Sequence, residues 1–270
     1  MRSMFSKTEA LLLLACVGLA ALALFGPAVA QPANYHQFAD QRVLWGLPFA
    51  MDVLSNLAFL LAGAAGAWCL LRLPPGTLGN VDRAMAALFF AGLTLTAAAS
   101  GWYHWQPDDA GLALDRCAMA VAFAGLLGLA AAGHVSARAG LALGLAMLVL
   151  APLSVRAWSA TGNVLPWAVL QFGGMGLILW FALLRPSDAA PAIRWSLVIA
   201  AYGAAKLLEA GDHLVFEATG HLVSGHTLKH VAAALAAWPV VAAIRSLDSR
   251  QNRAGNAAGA SGAAHPAGKA

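Results

Sequence analysis

The sequence predicts an all-α polytopic membrane protein, in which an N-terminal hydrophobic helix precedes a core of seven transmembrane helices. Three observations support this fold class: the composition, the spacing of long apolar runs and the distribution of basic residues. Of the 270 residues, 60% are apolar and 10% are charged, against roughly 45–50% and 25% in a soluble domain. These charges are too few to cover a soluble protein of this size, so the bilayer is the expected solvent.

The composition also excludes several classes of protein. An intrinsically disordered chain would be rich in charge and poor in apolar residues. A disulfide scaffold would need more than the three cysteines present, Cys16, Cys69 and Cys117, each of which lies in an apolar run. The formal net charge of +4 is spread between apolar segments, so we expect no nucleic-acid partner. The basic residues are better explained as signals of membrane topology.

Eight apolar runs are long enough to form membrane helices, which need about 20 mostly apolar residues. Turn-forming residues such as Pro74, Pro107, Gly162 and Pro186 separate many of them. The runs cover approximately residues 8–30, 53–72, 84–103, 112–133, 139–156, 164–184, 195–211 and 227–244.

The first run has two interpretations. Arg2 and Lys7 precede it, and the small residues Ala28 and Ala30 fit a signal-peptidase site, but the run is also long enough to span a bilayer. The predicted organisation has three parts: a signal peptide or N-terminal membrane helix at 1–30, a seven-helix membrane domain at 31–248 and a disordered cytoplasmic tail at 249–270.

The basic residues support the number of spans. If the N-terminus lies inside and the chain changes side at each run, eleven basic residues fall inside and two, Arg42 and Arg156, fall outside. Three more, Arg116, Lys206 and Lys229, lie in or at the ends of spans. The eleven inside are Arg2, Lys7, Arg72, Arg83, Arg138, Arg185, Arg194, Arg245, Arg250, Arg253 and Lys269. We therefore expect an integral protein of a bacterial inner membrane, with a cytoplasmic C-terminus.

Polar residues inside a bilayer are costly and indicate functional sites. Ser100 and His104 share one face at the end of the second core helix, and Asp115 begins the third. His226 and His230 share one face at the start of the last core helix. In the predicted topology these helix ends lie on the same side, so the five residues should lie at one depth, in the periplasmic leaflet.

This combination of residues points to metal-assisted hydrolysis. Three imidazoles with one open position are typical of catalytic zinc, which lowers the pKa of bound water to about 7. A carboxylate such as Asp115 can carry the proton to a leaving amine. A hydroxyl such as that of Ser100 can donate to the developing oxyanion. The set therefore suits hydrolysis of an amide or ester.

Other polar residues receive structural interpretations. Asp52 is expected to place a charge at the start of the first core helix, and Ser55 with Asn56 to cap it or to hydrogen-bond a neighbouring helix. Glu209, Asp212 and His213 should pair with Lys206 or line the entrance to the site. The remaining histidines are expected to be structural or interfacial: His36, His134, His213, His221 and His265.

The spacing Ser100-x3-His104-x10-Asp115, followed by His226-x3-His230, resembles that of the alkaline ceramidases. These belong to the CREST group of seven-helix membrane hydrolases. Residues 52–56, Asp-Val-Leu-Ser-Asn, resemble the family's Asn-x-x-Ser-Asn segment, and residues 225–231 resemble its last-helix motif. The similarity covers roughly residues 34 to 246.

The resemblance implies a zinc ion bound by His104, His226 and His230, with Asp115 as acid/base and Ser100 as oxyanion donor. The implied reaction is hydrolysis of the amide of ceramide or phytoceramide, with the substrate taken from the bilayer. Eukaryotic members also carry a calcium site before the first helix. Residues 34–42 and Phe49 offer too few carboxylates for such a site, so we expect no calcium. Because many bacteria lack sphingolipids, another N-acyl lipid is an open alternative.

Three other functions were considered. A non-catalytic seven-helix receptor-like or transport protein with a structural zinc would satisfy the same pattern. An intramembrane serine protease using Ser100 is disfavoured, because Ala98 stands where a rhomboid would carry a glycine. A haem protein is disfavoured because His226 and His230 share one helix face and cannot bind opposite sides of one iron. The oligomeric state is left open by the sequence.

Overall fold

The computed structural model describes residues 6–249 and confirms the predicted all-α fold class. One π-helical turn, Val169–Gly173, separates α7 from α8. The α-helices are α1 Lys7–Phe25, α2 Ala50–Ser55, α3 Leu57–Arg72, α4 Asn80–Trp105, α5 Asp109–His134, α6 Ala137–Thr161, α7 Leu165–Ala168, α8 Gly174–Ala182, α9 Trp195–Ala210, α10 Asp212–Ala218 and α11 Gly225–Leu235. After a turn at 236–237, helix resumes over 238–249.

Seven helical segments among these residues are long and apolar enough to cross a membrane, and α1 is one of them. The predicted run 195–211 differs from the others. It forms α9, which has 16 residues and would therefore extend about 24 Å, less than the roughly 30 Å of a hydrocarbon core. Gly211 ends this helix, and the chain continues directly into α10.

Helix α5 lies at the centre of the bundle and is the most buried of the spanning helices. It packs against α4 and α6, α3 packs against α4 and α8 against α5, and α11 packs against α3 and α9. Asp108 and Ser136 cap the starts of α5 and α6 by accepting from the backbone N–H groups of Gly111 and Ala139. The short connections at each end make α4, α5 and α6 antiparallel neighbours.

The first core helix is interrupted near its start, where α2 gives way to α3. The Ser55 hydroxyl and the Asn56 side-chain amide both donate to the carbonyl oxygen of Asp52, at 2.9 and 2.8 Å. Side-chain donors thus occupy a carbonyl oxygen that would otherwise accept a backbone N–H within the helix. This interruption lies at the end of the bundle where α4 ends and where α5 and α11 begin, which we call the site end.

Helix α1 packs along α7 and the π-helical turn. Glu9 at its start accepts from the Ser136 hydroxyl at 2.7 Å and from Arg138 at 2.9 Å. Farther along, the backbone N–H of Val29 donates to the Asn163 side chain at 2.9 Å. Cleavage after residue 30 stays a prediction. Of the tail predicted at 249–270, Ser249 is described and the rest lies outside the described residues. Residues 1–5 also lie outside them.

Candidate metal centre

Three histidines from two distant helices meet at the site end. His104 comes from α4, while His226 and His230 come from successive turns of α11. One ring nitrogen from each lies within 4.8 Å of the others. All three side chains are buried, with exposed fractions of 1%, 6% and 3%. This group could bind a metal ion.

The spacing of the three rings fits a single shared ion. The Nε2 atoms of His104 and His226 are 3.2 Å apart, and two nitrogens bound at 2.0–2.1 Å to a tetrahedral metal would be roughly 3.3 Å apart. The ring centroids form a nearly equilateral triangle with sides of 4.7, 4.9 and 5.1 Å. In addition, His104 Nδ1 is buried without a hydrogen-bond partner in the described chain.

A hydrogen bond from α2 selects the tautomer of His230. Ser55 Oγ lies 2.7 Å from His230 Nδ1. Because the Ser55 hydroxyl donates its hydrogen to the Asp52 carbonyl, we infer that its oxygen accepts from Nδ1–H. The Nε2 atom of His230 then keeps a free lone pair, the form that a metal ligand requires. Ser55 thus makes the hydrogen bond to a neighbouring helix that the sequence predicted, and its partner is a candidate metal ligand.

Two carboxylates fix the start of α11. Asp52 accepts from the hydroxyls of Thr227 and Ser224 at 2.6 and 3.1 Å. Asp212 accepts from the backbone N–H of His226 at 2.7 Å and from that of Ala39 at 2.9 Å. Asp52 does lie in the first turn of its own helix, as expected, but its carboxylate caps a different helix. These contacts hold the two α11 histidines in position.

Phe38, which the sequence did not single out, covers the metal centre. Its ring is 3% exposed and lies 4.7 Å from the His104 ring and 4.5 Å from the His226 ring, between centroids. Such an apolar cover lowers the local dielectric and limits the access of water. The segment between α1 and α2 carries no periodicity that would place one of its residues against these rings.

The other two predicted site residues lie beside the histidines. Ser100 and Asp115 are 2% and 7% exposed, and the Ser100 hydroxyl lies close to the Asp115 carboxylate. The Oδ1 atom of Asp115 is buried and has no partner among the described residues. Both residues line the same cavity as His230. The structure thus brings together all five positions that the spacing singled out.

This cavity has a volume of about 160 Å³ and extends between α3, α4, α5, α8, α9 and α11. Most of its lining is aromatic or aliphatic, including Phe59, Phe89, Leu93 and Met119. An apolar chain fits such a lining, while the polar groups lie at the site end.

The segment before α2 contains a paired carboxylate. Arg42 Nε and Nη2 donate to the two oxygens of Asp40 at 2.8 and 2.5 Å, and Nη2 also donates to the carbonyl of Leu222 at 3.0 Å. Burial would raise the pKa of Asp40, but the hydrogen bonds from Arg42 outweigh it and hold that pKa below its usual range. Arg42, held in place by Asp40, thus tethers this segment to the α10–α11 loop.

The histidines predicted to be structural lie away from the metal centre. His36 contacts the Tyr103 hydroxyl and Asp109, His134 contacts the carbonyl of Ala130, and His213 contacts the carbonyl of Gln37. His221 pairs with Glu217, and His265 lies outside the described residues.

Compared with known proteins, the chain matches no family model and no curated protein.

Proposed function

We propose that this protein is a zinc-dependent membrane lipid amidohydrolase, similar to the alkaline ceramidases, that cleaves the N-acyl amide of ceramide, phytoceramide or a related lipid. One observation carries the proposal. Three buried imidazoles converge at the site end, and one of them, that of His230, lines a mostly apolar cavity together with Ser100 and Asp115. That arrangement combines a candidate metal site, a proton carrier and space for an acyl chain.

His104, His226 and His230 would hold the zinc ion. A zinc ion bound in this way supplies a nucleophilic water near neutral pH and polarises the scissile carbonyl. Ser55 acts on the ligand set by holding His230 in its metal-binding tautomer. Phe38 excludes water from the outer side of the rings.

We assign the proton transfer to Asp115. Its Oδ1 atom, which has no partner in the described chain, would take a proton during attack and give it to the amide nitrogen that leaves. The Ser100 hydroxyl lies close to this carboxylate. In our proposal that hydroxyl turns to donate to the oxygen of the attacked carbonyl.

The distribution of the basic residues predicts the orientation of the protein in the membrane. With the C-terminus in the cytoplasm, the site end faces the periplasmic leaflet of a bacterial inner membrane, and the acyl lipid enters from the bilayer. The excess of arginine and lysine on the opposite side of the bundle supports this orientation.

The test is hydrolysis of C16 ceramide, phytoceramide and other N-acyl lipids in detergent micelles by purified protein. Asp115→Asn should retain its metal and its fold but lose about 10²- to 10⁴-fold in kcat. Asp188→Asn, at an exposed position on the α8–α9 loop, is the matched control and should match the wild type. Full activity in metal-free protein would eliminate the proposal. A metal-loaded wild type that hydrolyses no N-acyl lipid would favour the receptor-like or transport alternative.

A further inference from the structure

A cluster of charged side chains lines the same cavity as His230, one of the three candidate metal ligands. Glu209 on α9 accepts from Lys206 Nζ at 2.5 Å and from Lys229 Nζ at 2.6 Å. Lys229 comes from α11, one residue before His230. All three side chains line the cavity together with His230, Ser100 and Asp115. We call them the lysine cluster.

The lysine cluster carries more positive than negative charge. Two ammonium groups share one carboxylate, and within the described chain Glu209 is the carboxylate that forms an ion pair with either lysine. Each ammonium has three donors, of which Glu209 occupies one. Lys229 also interacts electrostatically with Asp115, but no ion pair joins these two side chains among the described residues. The three side chains of the lysine cluster by themselves therefore carry one more positive than negative charge.

A salt bridge between α9 and α11 does not require this excess of positive charge. One lysine opposite Glu209 would make the bridge, and a second ammonium group inside a bilayer is costly to keep. Tyr202 adds another unused donor, since its buried hydroxyl lines the same cavity and has no partner among the described residues. The polar end of the cavity therefore offers donors and positive charge that the protein itself does not satisfy.

We propose that the lysine cluster is a binding subsite for the anionic group of the substrate, so that the preferred substrate is an N-acyl lipid bearing a carboxylate, of the N-acyl amino acid class. This inference rests on the proposed amidase function. A single negative charge matches the excess of one. A small head group is favoured because the lysine cluster lines the same cavity of about 160 Å³ as His230, Ser100 and Asp115.

The geometry of such a substrate suits the lining. Its acyl chain would occupy the part formed by Phe89, Leu93 and Met119. Its amide would lie beside Ser100 and Asp115. In an N-acyl amino acid only one carbon separates the amide nitrogen from the carboxylate, so both groups fall at the polar end. Ceramide has no anionic group to occupy the lysine cluster.

The experiment compares two substrates of equal length and different charge, N-palmitoylglycine and the neutral N-palmitoylglycinamide. Wild-type protein should hydrolyse the acyl amide of the anionic substrate with a kcat/KM at least about tenfold higher. Lys206→Met keeps the apolar stem and removes the charge, so the ratio of kcat/KM for the anionic substrate to that for the neutral substrate should fall toward one. Lys206→Arg should restore it. Arg156→Met, at an exposed position on α6, is the control and should keep the wild-type preference.

The outcomes separate the two proposals. Equal hydrolysis of the two substrates by wild-type protein would overturn the anionic subsite and leave the amidase intact. If the wild type hydrolyses neither substrate nor any other N-acyl lipid, the proposed function is wrong. Calorimetric binding of N-palmitoylglycine then tests the subsite alone. Binding weakened about tenfold by Lys206→Met supports it, and unchanged or undetectable binding refutes it.

Discussion

The α4–α5–α6 layer and the site end of the bundle are held together by different means. In the layer, small residues let backbones touch: a Cβ atom added at Gly92 would collide with the backbone of Ala122, and one at Gly125 with that of Phe89. At the site end, hydrogen bonds accepted by the side chains of Asp52, Asp212 and Ser55 position the elements. The comparison indicates that stability depends on the layer, while the polar end can be altered with the fold retained.

The largest expected effect tests the layer. Gly92→Leu should prevent accumulation of folded protein, because the added side chain meets backbone atoms that cannot move aside. Gly203→Ala, on α9, is the control, since nothing lies within 4 Å of the position its Cβ would take. Size-exclusion chromatography in detergent measures the yield of monodisperse protein. Normal yield of Gly92→Leu would contradict the close approach of α4 and α5.

The next effect concerns the capping of α11. Asp212→Ala removes the acceptor for the backbone N–H groups of Ala39 and His226. The variant should lose roughly 1.5–3 kcal/mol of stability, since hydrogen bonds to a charged group are worth about that much. Asp188→Ala should have little effect. Thermal unfolding followed by tryptophan fluorescence compares them, and equal midpoints for both variants would show that the cap contributes nothing.

A smaller change sharpens the role of Ser55. Ser55→Ala removes the acceptor for His230 Nδ1–H and should weaken metal binding about 10- to 100-fold, the usual effect of losing a hydrogen bond that orients a ligand. The fold should persist. Ser159→Ala, whose hydroxyl bonds only within its own helix, is the matched control. Competition with a fluorescent zinc chelator measures the zinc affinity. An unchanged affinity would show that Ser55 does not orient His230 for metal binding.

The smallest effect is expected at an exposed ion pair on α10. Glu217→Gln removes the partner of His221, and both side chains are more than half exposed. Exposed pairs contribute little because solvent screens them, so the thermal midpoint should hardly move. A large loss of stability would mean that the loop between α10 and α11 is more tightly coupled to the site end than its contacts indicate.

The sequence placed the five site residues at one end of the bundle because residues one helical turn apart share a face and the connections fix the side on which each helix ends. His104 and Ser100 lie one turn apart, as do His226 and His230, and connection lengths placed the helix ends on one side. The same reasoning failed for Phe38 and for the partnership of Lys229 with Glu209. These contacts join segments that no repeat or spacing relates, so only the folded chain brings them together.

The length of α9 shows a second limit of sequence reasoning. Hydropathy predicted a membrane span at 195–211, and α9 covers nearly the same residues, 195–210. Its 16 residues extend about 24 Å, less than a hydrocarbon core of roughly 30 Å. Gly211 follows the helix, and the carboxylate of Asp212 accepts from the N–H group of His226. The apolar run therefore located this helix but did not establish that it is long enough to cross a bilayer.

The metal content of the purified protein tests the central claim most directly. Protein prepared without chelators should contain one zinc ion per chain by plasma mass spectrometry. His104→Gln, His226→Gln and His230→Gln should each lose it while keeping their helical circular dichroism. His134→Gln, whose side chain bonds to the Ala130 carbonyl at the opposite end of α5, should retain it. Folded wild-type protein that takes up no metal, or a His104→Gln variant that keeps a full equivalent, would contradict the account.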